Sequence, residues 1–381
     1  MNKIKELLIF GSGDGIGSLL SGIFWFFLAS QIQPNEFGEL QWLMSIAGML
    51  SSIALVGNVS TMTVYVGKNI PIQSTLNFIS LIFSAILATL MIIYFSSFFV
   101  VDSGVLLIAY VINSLVIGDL IGKKRFQEYS KITIIQKALT CGLGFIFFYL
   151  FGYETIIIAL ILTYIIHYKK LIEIFKEVKI DFNLLKNRKE FIINNYFSSS
   201  VLVGTLGAGQ IDKIIIVPIL GFTVLGNYTL GLQMISILLI FSNIFYKYSL
   251  SNDASKNNIK NLKIFVVIIS VCISTLIFFI GPTIIEKFFP SYIELKNVIG
   301  IMALNVIPAT ISLIFQSKIL ADERSRVVLI SSIISFGVLV ISLVSIGSIY
   351  GMVGIAFSLL IASISRVIVF IYYIKSFKNS I

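Results

Sequence analysis

A succession of long apolar segments constrains this chain more than any other feature. Runs of roughly 20 residues or more recur with short breaks, and each can cross about 30 Å of hydrocarbon as a helix. Only 12% of the residues are charged, against about 25% in soluble domains. The sequence therefore predicts an all-α polytopic membrane protein with about twelve transmembrane helices. The predicted spans lie near residues 7–31, 39–66, 72–99, 103–121, 132–150, 154–174, 191–220, 226–248, 263–285, 297–320, 327–349 and 351–374.

The basic residues lie almost entirely in alternate loops. With the N-terminus in the cytoplasm, the inner segments hold 23 of the 28 Lys and Arg residues, whereas the outer loops hold Lys287 and Lys296. This asymmetry follows the positive-inside rule, and it predicts a cell-membrane protein with both termini in the cytoplasm. The net charge of +10 therefore indicates orientation and contact with anionic membrane lipids. It is not an indication of a nucleic-acid partner.

Two breaks between apolar runs have similar sequences. NEFGEL at 35–40 follows the first run and LGFTVLGNY at 220–228 follows the seventh, so about half of the 381 residues separates Gly38 from Gly226. Both breaks fall on the extracytoplasmic side, which predicts a parallel repeat with its pseudo-twofold axis along the membrane normal. We expect two six-helix bundles around a central cavity, at residues 1–175 and 191–381. The longest hydrophilic stretch, at 176–190, is the predicted cytoplasmic linker.

Charged residues inside the spans mark candidate sites, because each costs roughly 2.5–3.5 kcal/mol near the bilayer centre. Asp212 and Lys213 lie in the seventh span after Gly204, Gly207 and Gly209. Adjacent helix positions point about 100° apart, so both cannot face one direction. We expect at least one to face a wet interior, and a structural ion pair is the competing interpretation.

Two further charges lie in the first and last spans. Asp14 lies among small residues, which indicates close helix packing or a proton or cation site. Arg366 lies near the middle of the last span, where it could bind an anionic headgroup in a cavity.

Residues for enzyme chemistry are scarce. His167 is the one histidine, and Cys141 and Cys272 lie in different halves, so we expect no His/Cys metal site and no Ser-His-Asp triad. The run GSGDGIG at 11–17 lacks the dinucleotide spacing and a Walker lysine. Outer loops are too short to hold a glycosyltransferase site. We predict a protein that is not an enzyme and that uses no cofactor.

Four segments, in order, resemble the polysaccharide flippases of the multidrug/oligosaccharidyl-lipid/polysaccharide exporter superfamily. The first is NEFGEL at 35–40, and the second combines QIDKIII at 210–216 with LGFTVLGNY at 220–228. The third is FFPSY at 288–292, and the fourth is YGMVGIA at 350–356. The resemblance implies an alternating-access flippase for an oligosaccharide on a polyprenyl phosphate or pyrophosphate. Lys213 and Arg366 would offset the phosphate charge, and Asp212 is the third headgroup candidate.

A multidrug exporter driven by H⁺ or Na⁺ is the alternative within transport, and Asp14 would be its coupling residue. A membrane glycosyltransferase would require a large outer loop. A membrane scaffold would leave the intramembrane charges in both halves unexplained.

Overall fold

The computed structural model describes residues 3–56, 59–95, 98–186, 188–196, 210–254, 259–322 and 324–378, and these residues form helices without a strand. The α-helices of the N-terminal part are α1 Lys3–Gln31, α2 Pro34–Ala54, α3 Val59–Gly67, α4 Gln73–Phe95, α5 Phe98–Gly122, α6 Phe126–Phe151, α7 Ile156–Thr163, α8 Ile165–Glu177, α9 Asn183–Lys186 and α10 Lys189–Asn195. Those of the C-terminal part are α11 Ile211–Leu238, α12 Ile240–Ala254, α13 Lys260–Phe288, α14 Ile293–Leu304, α15 Val306–Ala321, α16 Ser325–Ser342 and α17 Ser348–Lys378.

Eight helical segments of the described residues are long and apolar enough to span a bilayer. They are Gln73–Tyr94, Val101–Gly122, Phe126–Phe151, Tyr153–Glu177, Ile211–Leu238, Lys260–Phe288, Ile293–Ala321 and Arg326–Lys375. The last is 50 residues long and contains the two spans predicted on either side of residue 350. The chain is therefore an all-helical polytopic membrane protein, as predicted, and the full number of spans stays a prediction.

Several helix boundaries differ from the sequence-based expectation. The break predicted between the spans 72–99 and 103–121 lies inside α5, because α4 ends at Phe95 and α5 begins at Phe98. The tenth predicted span is divided at Asn305. Pro308 explains this division, because its ring clashes with the carbonyl of residue 304 and it lacks an N–H.

The residues fall into two compact units. The first comprises Met1–Phe27 and Trp42–Ile211, and the second comprises Leu28–Gln41 and Asp212–Ile381. The end of α1 and the start of α2 thus belong to the unit that also contains α11 to α17. The predicted division at 176–190 is based on hydrophilicity, and it stays a prediction beside these contact-based units.

In the first unit, α1 packs closely on α6. Phe24 is fully buried, and its ring occupies the space that a side chain at Gly144 would fill. The ring of Phe24 also lies 5.8 Å from that of Phe145, and the thiol of Cys141 donates a hydrogen bond to the carbonyl of Leu20 at 3.0 Å. Because a glycine lets two helices approach closely, this contact fixes where α1 and α6 cross.

In the second unit, serine hydroxyls join neighbouring helices. Ser242 and Thr310 bond at 2.8 Å between α12 and α15, and Ser335 of α16 donates to the carbonyl of Ala362 in α17 at 2.7 Å. Ser274 of α13 donates to the carbonyl of Ala303 in α14 at 2.8 Å. Short polar side chains make such bonds across helices in a bilayer, where water cannot compete for them.

Candidate functional site

A sharp turn divides α11 and brings its two parts together. Gly221 has φ 83° and ψ 176°, a backbone conformation that favours glycine. The hydroxyl of Tyr228, after the turn, donates a 2.6 Å hydrogen bond to Oδ2 of Asp212, before it. Both side chains are buried. This hydrogen bond, called here the latch, therefore bridges the turn in the second of the two similar breaks, and the sequence alone did not indicate it.

The structure thus gives Asp212 a specific partner. Its other oxygen, Oδ1, is buried and has no hydrogen-bond partner among the described residues. Lys213, the next residue, is half-buried, and no ion pair involving its ammonium is present in the part of the chain that the structure describes. Lys213 remains a candidate cation, whereas one oxygen of Asp212 is already held by Tyr228.

Arg366 lies where several helices of the second unit converge. Its Nη2 donates to Oε1 of Gln316 in α15 at 3.1 Å and to the hydroxyl of Ser332 in α16 at 3.3 Å. Its guanidinium carbon is 5.8 Å from the centre of the Phe370 ring. Gln316 in turn contacts the hydroxyl of Tyr246 in α12 at 3.4 Å. Four helices therefore contribute to the surroundings of one cation.

The charge of Arg366 has no carboxylate partner within the described ranges. Every neighbour named above is neutral, and Nε of Arg366 is buried without a hydrogen bond there. A partly buried cation is costly unless it is paired, so an unpaired one indicates a place where an anion is stabilised. Sequence reasoning selected Arg366 and missed Gln316 and Ser332. The signal available was the position of Gln316 inside the predicted span 297–320.

The candidate residues do not form one cluster in the described structure. No hydrogen bond or ion pair there joins Arg366 to Asp212 or Lys213. Asp14 lies within α1, but its side chain is outside those that the structure describes. Gly204, Gly207 and Gly209, which precede Asp212, also lie outside the described residues.

The two similar segments at 35–40 and 220–228, called the two hairpins below, contact each other within the second unit. A Cβ at Gly38 would lie 2.9 Å from the amide nitrogen of Gly226 and closer still to the carbonyl of Phe222. A Cβ at Gly226 would lie 3.0 Å from the Cα of Pro34 and closer still to its carbonyl oxygen. Because Gly38 has no side chain, the backbone of Phe222 can pack against it. Gly226 leaves room for the backbone of Pro34 in the same way.

Contacts with the start of α14 extend this crossing. Oδ1 of Asn227 accepts a 3.0 Å hydrogen bond from the backbone N–H of Leu295. The ring of Tyr292 is 6.2 Å from that of Phe37, in an edge-to-face arrangement. Tyr292 is fully buried, and burial, together with a smaller effect of the Glu36 carboxylate, raises the pKa of its phenol. These contacts hold both hairpins against α14.

The fold of the chain is similar to that of several solved membrane transporters. Solved structures similar to the chain include the lipid II flippase MurJ in an inward closed conformation, with a TM-score of 0.77 and 13% identity over 97% of this chain and 87% of that one. They also include an inward-facing multidrug resistance MATE family transporter, with a TM-score of 0.65 and 14% identity over 98% and 95%.

A MOP superfamily transporter from Pyrococcus furiosus has a TM-score of 0.54 and 15% identity over 97% of this chain and 95% of that one. For that protein, a reversed polarity of the binding pocket suggests a different function. No family profile and no curated protein matches the sequence. At these identities the similarity shows the fold alone.

Proposed function

We propose that this protein is an alternating-access flippase. It moves an oligosaccharide linked to a polyprenyl phosphate or pyrophosphate from the cytoplasmic to the outer leaflet of the cell membrane, for polysaccharide or glycan assembly. The observation that carries the proposal is Arg366, a cation without a carboxylate partner in the described structure. A phosphate is the group that such a guanidinium binds well.

The chemistry of the cargo fits this arrangement. A sugar headgroup cannot enter hydrocarbon, so a flippase must shield it while the lipid tail stays in the bilayer. Gln316, Ser332 and Tyr246 are neutral hydrogen-bonding side chains beside Arg366, and they suit hydroxyl and phosphate oxygens. Lys213 would supply a second positive charge. Asp212, held by Tyr228, would position the start of α11 rather than touch the phosphate.

The hairpin crossing suits a protein that opens at one side at a time. Both hairpins are predicted to be extracytoplasmic, and their tight backbone contact at Gly38 and Gly226 would close that end. Outward opening would then require the two hairpins to separate. Because small shifts at packed contacts select between discrete arrangements, this crossing would act as the outer gate.

A cation-coupled multidrug exporter is the second candidate, and the similarity to MATE family structures favours it. Asp14 would carry H⁺ or Na⁺ in that case. The two candidates require cavities of opposite sign, because a cationic drug is repelled by an unpaired guanidinium. Arg366 is the reason that we place the flippase first.

The test is the movement of a fluorescent polyprenyl-pyrophosphate oligosaccharide in proteoliposomes. We expect Arg366→Gln to lower the rate about tenfold or more, since hydrogen bonds to charged groups contribute about 1.5–3 kcal/mol. Arg366→Lys should retain part of the rate. Lys318→Gln is the control, because Lys318 is exposed and has no ion pair in the described structure. An unchanged rate in Arg366→Gln, with normal insertion, would contradict the proposal.

A further inference from the structure

The segment that follows α8 is fastened to the start of α4. The backbone N–H of Asp181 donates to the hydroxyl oxygen of Thr75 at 2.9 Å, and that hydroxyl donates to the carbonyl of Asp181 at 3.2 Å. The hydroxyl of Ser74 donates to the carbonyl of Ile174 at 3.3 Å. These bonds connect residues about 100 positions apart, so the segment has a defined position on the first unit.

One face of α4 is a stripe of exposed apolar side chains. The stripe consists of Phe78, Ile82, Ile86, Leu90 and Ile93, which are 38% to 68% exposed. Residues four apart lie on one side of a helix, so this stripe is a continuous lipid-facing surface. Phe78 is its member closest to the start of α4.

Phe182 extends this surface outside the helix. Its ring packs edge to face on that of Phe78, with the centres 6.3 Å apart, and Phe182 is itself 55% exposed. Ile180 is exposed as well. Two large apolar side chains of a hydrophilic segment are therefore placed at the end of the apolar stripe on α4.

Basic residues flank these apolar side chains in the sequence. Lys176, Lys179, Lys186 and Lys189 are exposed, and none of them forms an ion pair with another described residue. The acids at the end of α8 already have partners. Glu173 pairs with Lys170 and Glu177 with Lys123, each at 2.9 Å. The four lysines therefore keep their charge available for another group.

We propose that residues 176–186 and 188–189 form an anchor that binds the surface of an anionic bilayer. Ile180 and Phe182 lie at the boundary of headgroups and acyl chains, and the four lysines contact lipid phosphates. A basic segment with apolar side chains on one side is typical of interfacial binding, and each basic residue near an anionic surface adds attraction. The inference does not depend on what the protein transports.

A thermal unfolding assay of the full chain in neutral detergent tests the electrostatic part. Added phosphatidylglycerol should raise the unfolding temperature more than phosphatidylcholine does, and added NaCl should reduce the difference. In the variant with Lys176, Lys179, Lys186 and Lys189 changed to Gln, most of this difference between the two lipids should disappear. A control with Lys287, Lys318, Arg326 and Lys375 changed to Gln removes equal charge from other exposed positions. This control should keep the difference between the two lipids.

Equal losses in the two quadruple variants would overturn the proposal, as would an equal stabilisation by inorganic phosphate at the same ionic strength. The predicted position of the apolar side chains in the bilayer is tested by a separate measurement. A spin label at Phe182→Cys, in a background without Cys141 and Cys272, should be more accessible to oxygen than to an aqueous nickel complex in phosphatidylglycerol nanodiscs. The reverse order of accessibility would show that the segment stays in water.

Discussion

Gly38 and Gly226 lie at a crossing where each glycine faces the backbone four residues before the other one. The relationship is reciprocal, because Gly38 meets the carbonyl of Phe222 and Gly226 meets that of Pro34. Two matched sequence segments thus make the same contact with each other. This reciprocity gives the repeat a physical role, since both copies must keep a glycine for the hairpins to touch.

Substitution of either glycine by alanine should disturb this crossing. In Gly38→Ala the new methyl group would overlap the carbonyl of Phe222, and such overpacking costs about 1–3 kcal/mol. We expect a lower unfolding temperature in detergent for Gly38→Ala and for Gly226→Ala.

Gly337→Ala is the matched control in α16. A Cβ there meets nothing within 4 Å, and alanine in a helix is favoured over glycine by roughly 0.5–1 kcal/mol. Its unfolding temperature should be unchanged or higher. Equal effects of all three alanines would mean that the crossing does not constrain the protein.

The latch across Gly221 leads to a second prediction. Tyr228→Phe removes the donor of the 2.6 Å hydrogen bond to Asp212 and leaves a buried carboxylate with fewer partners. Loss of a partner from a buried polar group costs about 1–3 kcal/mol. Chemical denaturation should therefore show a less stable variant. A stability equal to wild type would mean that the latch is not needed.

Tyr292→Phe should behave in the opposite way. The hydroxyl of Tyr292 is buried and has no hydrogen-bond partner in the described structure. Its removal keeps the edge-to-face contact with Phe37 and relieves an unsatisfied polar group. The same denaturation assay should show a stability equal to or above wild type, and a marked loss would point to a partner for this hydroxyl.

An ion pair in the second unit provides a further comparison. Lys263 contacts both oxygens of Asp253, at 2.6 Å and 2.7 Å, and Ser317 donates to Asp253 at 2.7 Å. The two charged side chains are only 17% and 11% exposed. Lys263→Met would leave a partly buried carboxylate, which costs about 3 kcal/mol.

Lys296→Met is the control for that prediction. Lys296 pairs with Glu286 at 3.0 Å, but the side chains are 39% and 65% exposed. Exposed pairs contribute about 0–1 kcal/mol, so this variant should unfold near the wild-type temperature. If the two variants lost equal stability, burial would not be the reason that the Asp253 pair matters.

Hydropathy predicted the fold class and many helix ends, because both depend on local sequence. The first span was predicted to end near residue 31 and the seventh near residue 220, and the structure ends α1 at Gln31 and turns at Gly221. The break at Asn305 was missed, since hydropathy does not register the effect of Pro308 on a preceding carbonyl.

The surroundings of the candidate residues could not be predicted in the same way. Arg366 contacts Gln316 and Ser332, which are 50 and 34 positions away. Such contacts depend on how each helix is rotated about its axis. In a bilayer, lipid-facing and packed faces are both apolar, so the sequence carries little information about that rotation.

Movement of a lipid-linked glycan by the purified protein can be measured directly. The most direct measurement compares the purified wild-type protein in proteoliposomes on two cargoes: a labelled polyprenyl-pyrophosphate oligosaccharide, and a cationic dye under an imposed H⁺ or Na⁺ gradient. We predict that the glycan lipid changes leaflet faster than in empty liposomes while the dye does not accumulate. Dye transport without movement of the glycan lipid would contradict it and would establish the exporter.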